Sequence, residues 1–260
     1  MSTPMLEIKN LTKVYGKGKD VKTAVDDISL TVPRGAFYGL LGPNGAGKTT
    51  TLRSLCGIVP PSGGRISIGG CTLTDQPIDL KRRAAYVPDD PQLFHDLSVE
   101  QHLAFTASAY EVADADRIIA TLLDQFDLEF KRHCPAADLS RGMRQKLAIC
   151  CAYLYSPIAL LLDEPMTGLD PPGIRMLKQS IVERHNKTLA MLLRYWREGS
   201  GEKTWYNVLD DIYELYNNSK HRTVKNKPID IWKGIEENEQ DITKVYTSLE
   251  PGDVVRRRIQ

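Results

Sequence analysis

No part of the sequence reaches the roughly 18 uncharged apolar residues that a membrane-spanning helix requires. The most apolar stretch, residues 147–162, is broken by Ser156 and Pro157 and reads as a helix followed by a buried strand. The first ten residues, MSTPMLEIKN, contain no apolar core of the kind a secretory leader needs. Charge of one sign is also lacking: 34 basic and 33 acidic residues leave a net charge of +1. No overall field therefore points to nucleic acid or to a solvating acidic tail. The five cysteines (Cys56, Cys71, Cys134, Cys150, Cys151) show neither metal-ligand spacing nor a disulfide framework. They read as reduced core residues of a cytoplasmic chain. What remains is 260 residues, 42% hydrophobic and 26% charged. That excludes a disordered chain, a collagen and a small disulfide-stapled scaffold, and allows one or two domains with ample core.

From residue 6 to about residue 184, short apolar runs alternate with amphipathic stretches. Residues 6–11, 25–32, 65–68 and 84–87 read as strands, and 37–41 as a buried strand ending at a glycine-rich turn. Residues 49–57, 99–110, 115–126, 140–155 and 171–183 have helical spacing, the last with proline near its start. Residues 159–162 read as a central strand. Strands alternating with helices predict an α/β fold with helices packed on a sheet.

Composition changes after about His185. All three tryptophans (Trp196, Trp205, Trp232) and six of the eight asparagines fall in the last 76 residues, with no phenylalanine and one alanine, Ala190. Residues 188–196 and 206–216 have a helical pattern, while 217–228 are polar and basic without apolar period. Residues 185–260 are therefore expected to form a second, mostly helical segment. Arg256-Arg257-Arg258 reads as a solvated end.

Gly42-Pro43-Asn44-Gly45-Ala46-Gly47-Lys48-Thr49 fits G-x-x-x-x-G-K-[ST] without mismatch, between a buried strand and a helix. Glycines let backbone N–H groups converge on phosphate oxygens, and the helix start adds its positive dipole end. Lys48 can reach the β- and γ-phosphates, and the Thr49 hydroxyl can bind Mg²⁺. Leu160-Leu161-Leu162-Asp163-Glu164 is an apolar strand ending in two carboxylates. Asp163 can meet Mg²⁺ through water, and Glu164 can orient or deprotonate an attacking water.

A third motif, Leu139-Ser140-Arg141-Gly142-Met143-Arg144-Gln145, stands shortly before the Asp163 strand. In this order the three motifs resemble the nucleotide-binding subunit of an ATP-binding cassette (ABC) transporter, over residues 5–184. The signature is a variant, L-S-R-G-M where the family has L-S-G-G-Q. The resemblance implies a P-loop NTPase core of ABC ATPase type over residues 1–184, with an inserted helical subdomain at about 96–155. It also implies ATP and Mg²⁺ as cofactors, with Thr50 beside Thr49 at the phosphates. Ser140 and Gly142 would face the γ-phosphate of a nucleotide held by a second ATPase subunit, a copy of this chain or a homologue, in a head-to-tail sandwich. Tyr15 would stack on adenine, and Gly168-Leu169-Asp170 would be the loop through which the two sites communicate. The transmembrane permease would be another polypeptide, reached through the loop from Asp89 to Phe94. The chain would then sit on the cytoplasmic face of a membrane, with no nucleic acid partner.

Two departures from the family pattern stand out. Asp89 occupies the place of a glutamine in the loop that joins the core to the helical subdomain; its carboxylate is expected either to meet Mg²⁺ through water or to serve only as a turn residue. Where the family has a histidine that supports hydrolysis, counting along the chain gives Tyr195 or Trp196. Residues 189–193 can be read as the last core strand or as the start of a helix. Residues 192–204 also resemble part of a death-domain-like helical module. The leading expectation is an ATP-hydrolysing transporter subunit. The alternatives are an ATP-binding protein with impaired hydrolysis that acts in regulation or interaction, and a chimera whose second half does not complete the core.

Overall fold

A computed structural model of the chain describes residues 4–40, 42–185, 190–194 and 245–247. Two sheets organise them. In the first, β1 (Leu6–Tyr15) lies antiparallel between β2 (Lys22–Val32) and β4 (Gly63–Ile68), and β4 continues to the short β5 (Cys71–Thr72). Alternate apolar residues of this sheet, among them Leu6, Ile8, Val25, Ile66 and Ile68, are buried with Leu52 and Leu55 in one core.

The second sheet contains β3 (Phe37–Leu40), β6 (Ala84–Val87), β7 (Ala159–Asp163), β8 (Ala190–Arg194) and β9 (Val245–Thr247). It is parallel throughout, in the order β6-β7-β8-β3-β9. All five residues of β7 are buried. Ala159 and Leu161 join the core under the antiparallel sheet, whereas Leu160 and Leu162 join a second core on the other face. The two-residue period of a strand thus lets one segment hold two cores together. A continuous apolar run is the expected text of such a strand.

Helices follow the expected positions with small shifts at their ends. They are α1 (Lys48–Leu55), α3 (Val99–Ala109), α4 (Ala115–Gln125), α5 (Arg141–Leu154) and α6 (Pro171–His185). Helix α2 (Pro77–Arg83) is an addition to the sequence expectation; it opens on proline and ends in three basic residues, both favoured at those termini. Helix α3 starts at a complete capping box, in which Ser98 and Gln101 satisfy each other's backbone N–H groups. Helices α3, α4 and α5 pack together around Leu103, Leu122, Phe126, Leu147 and Tyr153.

The expected helical reading of residues 188–196 is corrected at its centre. Residues 190–194 form β8, hydrogen-bonded to β7 on one side and β3 on the other. A central parallel strand is apolar along its whole length, so periodicity does not separate it from a short buried helix; two flanking ladders decide the matter here. Strand β9 then pairs with the far edge of β3. The parallel sheet therefore takes two strands from beyond residue 184. The expected helix at 206–216, the death-domain-like stretch after residue 194, and Tyr195 and Trp196 lie outside the described residues.

Candidate nucleotide site

Parallel strands place their carboxyl ends on one edge of a sheet, and open α/β sheets bind ligands outside that edge. Here β3 leads to the phosphate loop, β6 to Asp89, and β7 to Asp163 and Glu164. Arg194, the last residue of β8, stands opposite Asp163 in the ladder.

The loop after β3 turns through Gly42, Gly45 and Gly47, with φ of 146°, 84° and 85°. A Cβ added at Gly45 meets nothing within 4 Å, so that glycine is demanded by backbone conformation and not by crowding. Gly47 is the N-cap of α1 and supplies no side-chain cap. The helix start therefore faces the loop with its positive end unmasked, which suits an anion. Lys48 is 3% exposed, and its ammonium donates to the carbonyls of Gly42 and Pro43 (2.6 Å to the latter). Ala46 is buried beneath the loop. A buried cation, left-handed glycines and an uncapped helix start together fit a polyphosphate.

Asp163 is 2% exposed and accepts a hydrogen bond from the Tyr86 hydroxyl at 3.1 Å. Glu164 leaves the strand with φ of 49°, and its carbonyl accepts from the Thr167 N–H at 3.0 Å, closing a turn. The left-handed residue swings the second carboxylate out of the strand, so that it is only half-buried. Two adjacent carboxylates thus have different surroundings, the arrangement by which an active site gives two acids different tasks. Tyr86 itself accepts from Arg53 Nε at 3.4 Å. Burial pushes the Tyr86 hydroxyl up to about 12, only partly opposed by the Arg53 charge, so it remains a neutral donor. The hydrogen bond to Tyr86 raises Arg53 further.

Ser140 is the N-cap of α5, and its hydroxyl accepts from the Met143 N–H at 3.3 Å. The next turn is packed against the loop after Glu164. A Cβ at Gly142 would lie 2.7 Å from the Gly168 carbonyl oxygen, and one at Gly168 would lie 3.0 Å from Cγ and Cδ of Arg141. Asp170 exposes its carboxylate at the start of α6, where Oδ1 accepts from the Gly173 N–H at 3.1 Å. Tyr15 ends β1, is 41% exposed, and carries Lys13 Nζ 4.9 Å above its ring.

The Asp89 carboxylate accepts from Arg141 Nη2 at 3.1 Å, a charge-assisted bond. The aspartate that replaces the family glutamine and the arginine of the variant signature are therefore partners. A second tie runs parallel to it: the fully buried Gln145 donates through Nε2 to the Pro88 carbonyl at 3.2 Å. Tyr86, Arg53 and Gln145 were not singled out by sequence reasoning. A hydroxyl at the end of an apolar strand and a glutamine on the buried face of α5 were the available signals.

The family model described as ABC transporter matches residues 25–167, more than half of the chain. The chain belongs to the ABC transporter family. Among curated relatives of this ABC protein, the ABC-type transporter ATP-binding protein EcsA of Bacillus subtilis is 33% identical over 73% of this chain and 76% of its own length. The Nod factor export ATP-binding protein I of Cupriavidus pinatubonensis is 32% identical over 84% of this chain and 67% of its own. A solved ATP-binding subunit of an ABC transporter superposes with a TM-score of 0.69 and 32% identity, covering 81% of this chain and 99% of that one. An ATP-binding cassette solved as a dimer in a post-hydrolysis state with ADP and Pi shares the fold, with a TM-score of 0.68 at 23% identity, covering 78% and 90%. As a member of this family the chain is an ATPase that uses ATP with Mg²⁺ and serves a transporter. Among the described residues, no helix is long and apolar enough to cross a membrane.

Proposed function

We propose that the chain hydrolyses ATP to power a membrane permease, through a head-to-tail dimer that holds two nucleotides between subunits. The observation that carries this is the convergence of the phosphate loop, Asp163 and Glu164 at one edge of the parallel sheet. Backbone N–H groups from Gly42 to Gly47, with Lys48, Thr49 and Thr50, hold the phosphates, and Tyr15 stacks on the adenine. Thr49, and Asp163 through water, would hold Mg²⁺, whose charge would offset that of the phosphate oxygens. Glu164 orients and deprotonates the attacking water. Ser140 and Gly142 face the nucleotide of the second subunit, and Asp170 lies in the loop between the two sites.

The route to the permease runs through the loop from Asp89 to Phe94. It is held at one end by Arg141 and Gln145, and at the other by His102, whose Nε2 accepts from the Phe94 N–H at 3.0 Å. Phe94 is 57% exposed and meets Phe105, itself 56% exposed, edge-on at 5.6 Å. Such an exposed aromatic pair suits a membrane-side partner, and on this reading the chain sits on the cytoplasmic face of the membrane through that partner. The ATP-binding unit, expected over 1–184, takes in β8 and β9. Those strands favour this reading over a chimera with an incomplete core.

Steady-state phosphate release with Mg-ATP, beside the Glu164→Gln variant, tests the reading. Turnover that is lost in the variant, with ATP binding retained, is the expected result. Absence of turnover in the unmodified chain, with ATP still bound, refutes hydrolysis and leaves the regulatory ATP-binding reading.

A further inference from the structure

We propose that Tyr86 is a positioning residue for Asp163, held in place by Arg53 in a relay that joins the phosphate-loop helix to the metal-binding strand. The inference rests on the assignment of Asp163 to Mg²⁺ made above. Three elements meet in the relay. Arg53 lies in the last turn of α1, the helix that begins with Lys48 and Thr49. Tyr86 lies on β6, opposite Leu161 in the ladder. Asp163 lies two residues after Leu161 on β7, so a parallel strand pair brings the hydroxyl up to the carboxylate. The distances are 3.4 Å from Arg53 Nε to the hydroxyl oxygen and 3.1 Å from that oxygen to Asp163 Oδ2.

Donor chemistry gives the relay one direction. A guanidinium only donates and an ionised carboxylate only accepts, while a phenol does both. The hydroxyl must therefore take its bond from Arg53 and aim its own proton at Asp163. That bond helps to orient one oxygen of a carboxylate that is only 2% exposed. Partners that orient a metal-binding group typically change metal affinity or activity by 10–100-fold when removed. Tyr86 is assigned no ligand role here; its effect on the metal site passes through Asp163.

The test uses the full chain as wild type, Tyr86→Phe and Asp163→Asn. Binding of a fluorescent ATP analogue is measured in EDTA and across a Mg²⁺ titration. Tyr86→Phe removes a single oxygen and keeps the ring. It is expected to leave Mg²⁺-free nucleotide affinity within about twofold, while raising the Mg²⁺ concentration for half-maximal effect by about tenfold or more. An unchanged Mg²⁺ requirement in Tyr86→Phe, with the Mg²⁺ effect abolished in Asp163→Asn, overturns the relay and leaves the metal assignment standing. A Mg²⁺ effect that survives in Asp163→Asn overturns the metal assignment itself. Equal losses with and without Mg²⁺ in Tyr86→Phe show a packing role and overturn the relay.

Discussion

Replacing Gly142 by alanine adds one methyl group where backbone already stands. The new Cβ would lie 2.7 Å from the Gly168 carbonyl oxygen, about 0.6 Å inside the ~3.3 Å at which even weak C–H···O contacts settle. Because the obstacle is main chain, relief requires a movement of the loop at 168–170 or of the first turn of α5. Overpacking of this kind costs roughly 1–3 kcal/mol. Alanine returns up to about 1 kcal/mol over glycine in a helix interior, and less at a first turn. The clash wins, and the net loss is about 1 kcal/mol, which lowers Tm by about 2–4 °C for a domain of this size. Differential scanning calorimetry of the nucleotide-free chain measures it directly. Phosphate release by the same variant should fall as well, since the displaced loop carries Asp170. A variant whose Tm rises by a few degrees would show helix propensity acting alone, and would sink the claimed contact between the signature helix and that loop.

Two further expectations follow from charge and burial. Asp89 and Arg141 are 38% and 48% exposed in their side chains, so each single alanine variant should cost less than about 1 kcal/mol. The charge-reversed pair Asp89→Arg with Arg141→Asp should recover part of it; a thermal double-mutant cycle with zero coupling at low salt would refute the pairing. Alkaline stability is set by groups that hold protons more tightly when folded. Burial raises the Cys56 thiol from 9.0 to about 12, and burial raises the Tyr86 hydroxyl from 10.0 to about 12. Unfolding at high pH therefore releases protons, so stability is complete below pH 9 and declines as pH rises toward 12. Tm values at pH 8, 10 and 11 check the sign, and a Tm that climbs over that range would contradict it.

Much of the site was legible because its chemistry is local. A phosphate loop needs glycines, a lysine and a threonine at fixed spacing between a strand and a helix, and Gly42 to Thr49 state this in eight consecutive residues. The same holds for Asp163 and Glu164 at the end of a fully apolar strand. The chain text did not disclose partners distant in sequence. Asp89 and Arg141 are 52 positions apart, and Tyr86 and Asp163 are 77 apart. Only the strand pairing of β6 with β7, and the packing of α5 beside them, bring these groups together. Strand β8 was ambiguous because a buried strand and a buried helix turn share the text Ala190-Met-Leu-Leu193. Strand β9 is three residues long, too short for any period to register.

The order of strands also has a consequence for how the protein is made. The strand that carries the phosphate loop, β3, is finished by Leu40, yet its neighbours in the sheet are β8 and β9, which begin at Ala190 and Val245. A chain growing from the ribosome thus displays the loop long before either flanking ladder exists. Loop closure across such separations is slow, and both edges of β3 stay open to mispairing until it happens. Ordering of β3 within its sheet therefore waits on strands translated long after the phosphate-loop motif that follows it.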